Sequence, residues 1–241
     1  MKSTITIFDL IKKVELYDEK AIDIITKAYK YAEKAHKGQT RQSGEPYISH
    51  PLSVAYILAS MNADSDTICA GLLHDTIEDT KVTKEDIKKK FNEDISNLVD
   101  GVTKISKMNF SSVKDRNLAN TRKIITSITE DVRIIIIKIA DRLHNMRTLE
   151  FKSEFKQKEI SLETLELFVP LAYYIGAYNV KREMEDIALK YLKPELYKEI
   201  EEKRNNIVNN SKESLDEMLK TINDMLEEKK IHNSMRIRIK N

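Results

Sequence analysis

The sequence is poor in the residues that interrupt helices. It has 5 glycines and 4 prolines among 241 residues, whereas leucine, isoleucine, lysine and glutamate are plentiful. A β-sandwich needs many short strands joined by turns rich in glycine and proline, so this composition argues against one. Long helices tolerate few such residues. We therefore predict an all-α fold.

Cysteine and long apolar runs are also scarce. The single cysteine, Cys69, excludes an intramolecular disulfide, and its apolar neighbours predict a buried structural thiol. No apolar run approaches the roughly 20 residues that a membrane-spanning helix requires. The first residues lack the apolar core of a signal peptide. We expect a cytoplasmic protein without a membrane partner.

The charge is nearly balanced, with 41 basic and 39 acidic residues and a net charge of +2. A protein held on DNA or RNA by phosphate contacts usually carries a clear basic excess. Direct nucleic-acid binding is therefore not expected. A phosphorylated ligand would have to meet local positive charge inside a pocket.

Apolar residues recur at helical spacing along most of the chain. We predict an N-terminal helical segment at residues 1–17, a central domain at 18–195 and a helical C-terminal extension at 196–241. The extension carries an apolar stripe that needs a partner surface, which helix-mediated self-association could supply.

Two segments inside this central domain have unusual residue patterns for helices. Residues 132–137 are rich in β-branched side chains, which favour a strand, but the apolar pattern continues to Met146. That length favours a buried helix. Residues 112–129 also predict a helix, with polar first turns.

The first chemically informative segment is H-D-T-I-E-D at residues 74–79. In one continuous helix, His74 would share a face with Glu78, and Asp75 with Asp79, because residues four apart are neighbours. The preceding turn is apolar. Histidines and carboxylates beside apolar segments are costly unless they are paired or bind a metal.

A second segment, beginning at Asp141, follows another apolar run and places Asn145 and Thr148 on the same helical face. His50, just before a proline, offers another imidazole. Two imidazoles and two carboxylates would balance the charge of one divalent ion. Such a mixed nitrogen and oxygen set suits Mn²⁺, Fe²⁺, Co²⁺ or Zn²⁺ better than Ca²⁺ or Mg²⁺.

Each of these residues also has an ordinary structural interpretation. Glu78 and Asp79 can be solvated acids at a helix end. His144 is more typical of a structural histidine, or of one that supports a ligand, than of a metal ligand. Arg142 and Arg147 can bridge to acids on neighbouring helices.

Four segments resemble the hydrolase domain of the RelA/SpoT family, a branch of the HD-domain phosphohydrolases. They are S-G-E-P-Y-I-S-H-P at residues 43–51, L-L-H-D-T-I-E-D-T at 72–80, L-V-D-G-V-T-K at 98–104 and K-I-A-D-R-L-H-N-M-R-T-L at 138–149. The resemblance runs from about residue 18 to 200. It implies an HD-domain helical bundle with a C-terminal extension.

The resemblance also implies an activity and a set of site residues. The activity is hydrolysis of the guanosine alarmone (p)ppGpp at its 3′-pyrophosphate, giving GDP or GTP and pyrophosphate, in stringent-response control. The implied cofactor is one Mn²⁺ ion, with ligands His50, His74, Asp75 and Asp141. Glu78 and Asp79 would orient or activate the attacking water. The implied substrate contacts are Arg41, Ser43, Asn145, Thr148 and Lys158.

The chain departs from the family pattern in three places. Gln42 stands where a lysine is usual, and Tyr173 and Tyr174 replace a histidine and an arginine. The chain ends at residue 241, before a synthetase domain could begin, and its last helices resemble the connector to such a domain. We expect either a standalone hydrolase or the hydrolase part of a longer protein.

Two alternatives to alarmone hydrolysis remain. The same metal site could act on another nucleotide, such as a dNTP or NADPH. The domain could instead be a catalytically silent nucleotide sensor, although the complete ligand set and the Glu78-Asp79 pair argue against silence.

Overall fold

The computed structural model describes residues 5–106 and 131–231, except for the side chains of residues 212 and 213. Within these ranges the chain is helical and has no β-strand, only a single antiparallel bridge between Thr40 and Pro46. The all-α prediction is confirmed. None of the helices described is long and apolar enough to cross a membrane. The predicted helix at 112–129 lies outside the described residues.

We number the α-helices of the described residues in chain order. They are α1 (Ile7–Glu15), α2 (Ile22–Ala35), α3 (Ser49–Ser60), α4 (Ser65–Leu73), α5 (Thr76–Asp79), α6 (Lys84–Lys90), α7 (Glu93–Ser106), α8 (Val132–Arg147), α9 (Glu154–Glu163), α10 (Val169–Tyr174), α11 (Tyr178–Leu192) and α12 (Pro194–Glu228). Two 3₁₀ turns, Glu19–Ala21 and Leu149–Phe151, and a π-helical turn, Thr164–Phe168, join them.

Helices α3 and α4 form the centre of the core. Both are apolar on nearly every face, which is typical of helices enclosed by others. They pack against each other, α2 and α7 contact α4, and α8 contacts both. Gly71 permits the close approach of α3 and α4, because a β-carbon there would lie 2.5 Å from Leu58 Cδ1. Cys69 is fully buried in this core, as expected.

Side-chain caps fix where several helices begin. Thr83 accepts a hydrogen bond from the Asp86 amide, and the Asp86 carboxylate accepts from the Thr83 amide, which forms a capping box at α6. Asp131 caps α8 by accepting from the Arg133 amide at 2.9 Å. The β-branched run that follows is helical, as its length predicts, and most of its isoleucines are buried.

Two arginines of α8 connect it to later helices. Arg142 Nη2 lies 2.9 Å from Glu163 Oε2 of α9, and its guanidinium carbon lies 4.2 Å from the centre of the Phe168 ring. Arg147 forms a two-pronged contact with Glu183 of α11, at 2.6 and 2.8 Å. The structural interpretation of these arginines is therefore confirmed. Such pairs fix the orientation of α8, the helix that carries Asp141.

The chain divides into two compact units, Met1–Ala188 and Leu189–Asn241. The helical segment predicted at residues 1–17 falls in the first unit, and the boundary predicted at 195 stays a prediction. In the second unit α12 is one helix of 35 residues. Its asparagines near residue 205 have low helix propensity, but no glycine or proline interrupts the helix there. Apolar side chains of α12 remain exposed, among them Ile207 and Met218.

Candidate metal centre and adjoining pocket

A tight loop before α3 places Arg41, Tyr47 and His50. The Arg41 amide donates to Glu45 O and the Gly44 amide to Arg41 O, both at 2.9 Å. Gly44 has a φ of +85°, a left-handed conformation that residues with a β-carbon rarely adopt. The loop then leads into α3, whose first turn carries the buried His50.

The segment that carries His74 and Asp75 is not one continuous helix, although Asp75 and Asp79 share a face as predicted, since the Asp79 amide donates to Asp75 O at 2.8 Å. Helix α4 ends at Leu73, and the short helix α5 begins at Thr76. The His74 Nδ1–H donates to Gly71 O at 2.8 Å, and the Thr76 hydroxyl donates to Leu73 O at 2.6 Å. These side chains take carbonyl oxygens that a continuous helix would offer to its own amides. At this break His74 is buried and Asp75 is half-buried.

The four predicted metal ligands meet in one place. Ligand atoms of His50, His74 and Asp141 all lie within 4.8 Å of one another. His50 Nε2 is 3.3 Å from Asp141 Oδ1, and His74 Nε2 is 4.0 Å from the same oxygen. The Asp75 carboxylate lies 3.5 Å from His50 Nε2 and 3.2 Å from His74 Nε2.

His74 provides a test of whether a cation fits this cluster. In the neutral form of His74 the Nδ1–H donates to Gly71 O, which leaves the lone pair on Nε2. This Nε2 is buried and has no hydrogen-bond partner among residues 5–106 and 131–231. It faces an Asp75 oxygen 3.2 Å away. A lone pair and a carboxylate repel at that distance unless positive charge lies between them. A metal ion satisfies both groups.

The pKa values in the cluster show the same demand for positive charge. Burial lowers the pKa of His74, but Asp75 and Asp141 outweigh burial and raise that pKa to about 9. Burial opposes ionisation of Asp141, yet Lys138 and the two histidines hold its pKa well below the ordinary value. The pKa of His50 is lowered, chiefly by burial, so its imidazole is neutral and able to bind a metal. The cluster therefore holds a proton where no metal is bound.

The Asp141 carboxylate is oriented by two neighbours on its own helix. Lys138 Nζ donates to Asp141 Oδ2 at 2.7 Å and to Ser106 Oγ at 3.1 Å. Asn145 Nδ2 donates to Asp141 Oδ1 at 2.7 Å. Such partners typically fix the orientation of a metal-binding carboxylate. Lys138 was not among the predicted site residues, although its spacing of three residues from Asp141 was an available signal.

A pocket of about 300 Å³ lies beside the cluster and brings together four of the five predicted substrate contacts. Its lining includes Arg41, Ser43, Asn145 and Thr148. Arg41 Nη2 donates to Asn145 Oδ1 at 3.2 Å. The same Asn145 side chain therefore joins the pocket to Asp141. Lys158, the fifth, is exposed on α9 and does not line this pocket.

The pocket lining also includes residues that sequence reasoning did not single out, among them Tyr47, Phe151 and Lys152. Phe151 and Lys152 follow directly after the motif at 138–149, at the end of a 3₁₀ turn, and this position was the only signal. Arg41 and Lys152 supply the local positive charge that a phosphorylated ligand would require.

Glu78 and Asp79 lie on the short helix α5, and both are exposed. The Asp79 carboxylate accepts a hydrogen bond from the Tyr47 hydroxyl at 2.7 Å. The two acids thus stand near the edge of the cluster, next to Asp75 in the chain. Their role in activating water stays a prediction.

Comparison with known proteins identifies the class to which this fold and cluster belong. The family model for the HD domain matches residues 28–177, which is more than half of the chain. The chain therefore belongs to the HD-domain family. The buried His50, His74 and Asp141, which could hold a metal ion, lie within the matched residues.

Curated relatives resemble most of this chain. A guanosine-3′,5′-bis(diphosphate) 3′-pyrophosphohydrolase of Aquifex aeolicus is 45% identical over 212 residues, covering 88% of this chain and 29% of the relative. The bifunctional (p)ppGpp synthase/hydrolase SpoT of Escherichia coli K12 is 43% identical, covering 87% and 30%. A GTP pyrophosphokinase of Myxococcus xanthus is 47% identical, covering 76% and 25%. The chain spans between a quarter and a third of the length of these relatives.

A solved structure supports the fold. It is described as a metazoan ortholog of SpoT that hydrolyses ppGpp and plays a role in starvation responses. It matches with a TM-score of 0.54 and 24% identity, over 68% of this chain and 92% of that chain. At this level of identity the likeness establishes the fold alone. The predicted HD-domain bundle is confirmed.

Proposed function

We propose that this chain hydrolyses (p)ppGpp at its 3′-pyrophosphate, releasing pyrophosphate and GDP or GTP. The observation that carries the proposal is the unsatisfied, buried His74 Nε2, which faces Asp75 and Asp141 beside a pocket with basic residues. Relatives named as 3′-pyrophosphohydrolases support the choice of substrate. The Myxococcus xanthus relative is named for pyrophosphoryl transfer instead, and 25% of its length is matched.

The ligands in this proposal are His50, His74, Asp75 and Asp141, and the resident ion is Mn²⁺. Two imidazoles and two carboxylates without a thiolate favour such an ion over Mg²⁺ or Ca²⁺. A divalent ion at this site supplies Lewis acidity, which makes water acidic and withdraws charge from a phosphoryl oxygen.

Glu78 and Asp79 orient or activate the attacking water, and one of the two carboxylates accepts the proton that it loses. Both are exposed and follow Asp75 on the same turn, so a proton can pass from them to solvent. Hydrolysis breaks the bond between the 3′ oxygen and its phosphorus. The nucleotide keeps that oxygen as its 3′-hydroxyl, and the hydroxyl of water goes to pyrophosphate.

The pocket residues bind the nucleoside. Arg41 presents a planar guanidinium, which can stack on a purine. Its bond to Asn145 fixes that plane next to the Asp141 side of the cluster. Thr148 and Ser43 offer hydroxyl groups to the base or ribose, and Lys152 or Lys158 can approach the phosphates.

The test is a substrate panel assayed with the full chain, freed of metal and then supplied with Mn²⁺. We expect pyrophosphate and GDP from ppGpp, and little turnover of a dNTP or NADPH. Faster turnover of a dNTP or NADPH would assign the site to that nucleotide. Nucleotide binding without turnover of any substrate would identify a sensor instead.

Ligand variants test the metal site within the same assay. Asp75→Ala and His74→Ala should each abolish turnover and stoichiometric Mn²⁺ binding, because each removes a ligand that no neighbour can replace. Asp23→Ala, on the exposed face of α2, is the matched control and should retain both. Normal metal content and turnover in Asp75→Ala would refute the assignment.

A further inference from the structure

The Tyr47 hydroxyl lies between two carboxylates of the candidate site. It is 2.8 Å from Asp75 Oδ2 and 2.7 Å from Asp79 Oδ2. A phenol has one proton, so it can donate fully to only one of these oxygens at a time. The two carboxylates are therefore held against one shared donor, on the same side of the α5 turn. The proposed reaction gives Tyr47 no role so far.

Contacts with His36 and Gln39 fix the position of the Tyr47 ring. The ring stacks on His36 with 4.6 Å between centroids and an interplanar angle of 22°. The Tyr47 amide donates to Gln39 O at 3.0 Å. His36 Nδ1 lies 2.7 Å from Gln39 Oε1, and Gln39 Nε2 donates to Asp79 O at 2.9 Å.

These contacts, which we call the α5 frame, link His36, Gln39 and Tyr47 to the α5 turn. His36, Gln39 and Tyr47 come from the end of α2 and the following loop, whereas Asp75 and Asp79 come from the α4–α5 break. The α5 frame binds Asp79 twice, through its carboxylate and through its main-chain oxygen. Because Asp79 is exposed on a helix of 4 residues, packing alone does not fix its side chain.

We propose that Tyr47 is a positioning residue, which holds Asp75 in the orientation that binds the metal and holds Asp79 beside it. The Asp79 half of this proposal rests on the proposed function, whereas the Asp75 half concerns metal binding alone. Tyr47 contacts no reacting atom in this role. Its ring also lines the pocket, 5.8 Å from the Arg41 guanidinium carbon, and the hydroxyl is not needed for that contact.

Tyr47→Phe removes the hydroxyl and keeps the ring that stacks on His36. We expect Mn²⁺ to bind the metal-free full chain about 10-fold more weakly, at the lower end of what the loss of a ligand's supporting contact produces. At saturating Mn²⁺ we expect kcat to fall by about 10-fold to 100-fold, as for a displaced catalytic group. KM for ppGpp should stay within about 2-fold, because the substrate contacts are kept.

Tyr29→Phe is the matched control. The Tyr29 hydroxyl donates to Glu33 Oε1 at 2.9 Å on α2, so this variant also breaks one tyrosine–carboxylate bond, away from the cluster. It should change neither Mn²⁺ affinity nor kcat. Thermal unfolding gives the melting midpoint of each metal-free variant. Because the assays are run well below both midpoints, a loss of Mn²⁺ affinity or of kcat cannot come from unfolding.

A double-mutant cycle with Asp79→Ala, measured in single turnovers with excess enzyme, tests the second half. If Tyr47 acts through Asp79, Tyr47→Phe should lower the rate by less than about 2-fold once Asp79 is gone. Losses that multiply would overturn that half. Wild-type Mn²⁺ affinity in Tyr47→Phe would overturn the first half, even if the wild-type chain proved unable to hydrolyse ppGpp.

Discussion

The Nδ1 atoms of His50 and His144 lie 2.7 Å apart, a distance at which one must donate and the other accept. His50 Nε2 faces Asp141 and Asp75, so this nitrogen is the one available to a metal and Nδ1 carries the proton. His144 then accepts through a lone pair. Burial, with His50 and Arg41 nearby, lowers the pKa of His144 to about 3, so it stays neutral.

His144→Ala should therefore weaken metal binding without removing a ligand. Loss of the acceptor for His50 is expected to reduce Mn²⁺ affinity by roughly 10-fold to 100-fold. Titration of the metal-free protein with Mn²⁺ measures this directly. His144→Gln, which restores an acceptor oxygen, should recover part of the affinity. Equal affinities in the wild type and His144→Ala would show that His50 is oriented by other contacts.

Glu78→Gln separates proton transfer from metal binding. The amide keeps the size of the side chain but cannot take a proton from water, so turnover should drop by roughly 10²-fold to 10⁴-fold while Mn²⁺ still binds. The control is Glu85→Gln, at an exposed position of α6, which should leave both unchanged. Loss of metal from Glu78→Gln, comparable to that in His74→Ala, would make Glu78 a ligand.

Much of the fold follows from local pattern, and the site follows from it only in part. Periodicity predicts most of the helices because most of them bury one face, and the capping box at Thr83 and Asp86 fixes where α6 begins. The break between α4 and α5 was missed. It depends on two side chains, His74 and Thr76, bonding to carbonyl oxygens of the preceding turn.

The role of Tyr47 could not be predicted from residue spacing. Its contacts with Asp75 and Asp79 join residues 28 and 32 positions apart in the chain. They arise only when the loop before α3 folds against the α5 turn. A ligand set of His and Asp can be recognised by residue type, but a tyrosine in a loop has too many ordinary uses to be singled out.

Gly101→Ala tests the packing of α7 against α8. A β-carbon at Gly101 would overlap Ile134 Cδ1, and Ile134 is buried. Overpacking typically costs about 1–3 kcal/mol. The better helix propensity of alanine offsets roughly 1 kcal/mol of that cost. We therefore expect the free energy of unfolding, measured by urea denaturation, to fall by about 0–2 kcal/mol. Ile134→Val removes Cδ1 and should relieve the overlap, making the double variant less destabilised than the sum. Additive losses would indicate that Ile134 is not the obstacle.

Asp100 provides a prediction about pH. Burial raises its pKa, but the amines of Lys104 and Lys84, at 2.9 and 3.0 Å, outweigh burial and lower it. A carboxyl with a lower pKa in the folded state adds stability above its unfolded pKa, near 4. That stability is lost as the pH falls through the folded pKa.

Asp100→Asn should consequently be less stable than the wild type at pH 7. The difference between their free energies of unfolding, here called the gap, should disappear in acid. Because Asp100 is partly exposed and both lysines reach solvent, the gap should be no more than about 1 kcal/mol and should shrink in high salt. Urea denaturation at several pH values measures it. A gap that persists unchanged below pH 3 would mean that Asp100 acts through uncharged contacts.

Gln42→Lys tests the position where the resemblance described above would place a lysine. Gln42 is exposed and lines the pocket, so an amine there can approach a polyanion. At such an open site the gain should be about 0–1 kcal/mol, which is up to about 5-fold in KM, and it should fade as salt increases. The added charge attracts the bound substrate and the transition state alike, so kcat should change little.

Gln42→Met, which has similar length and no charge, is the control. A large change in kcat at constant KM would instead place residue 42 against the reacting pyrophosphate. If low salt reveals no effect at all, the side chain points away from the bound phosphates, and Arg41 and Lys152 remain the basic residues of the pocket lining that meet them.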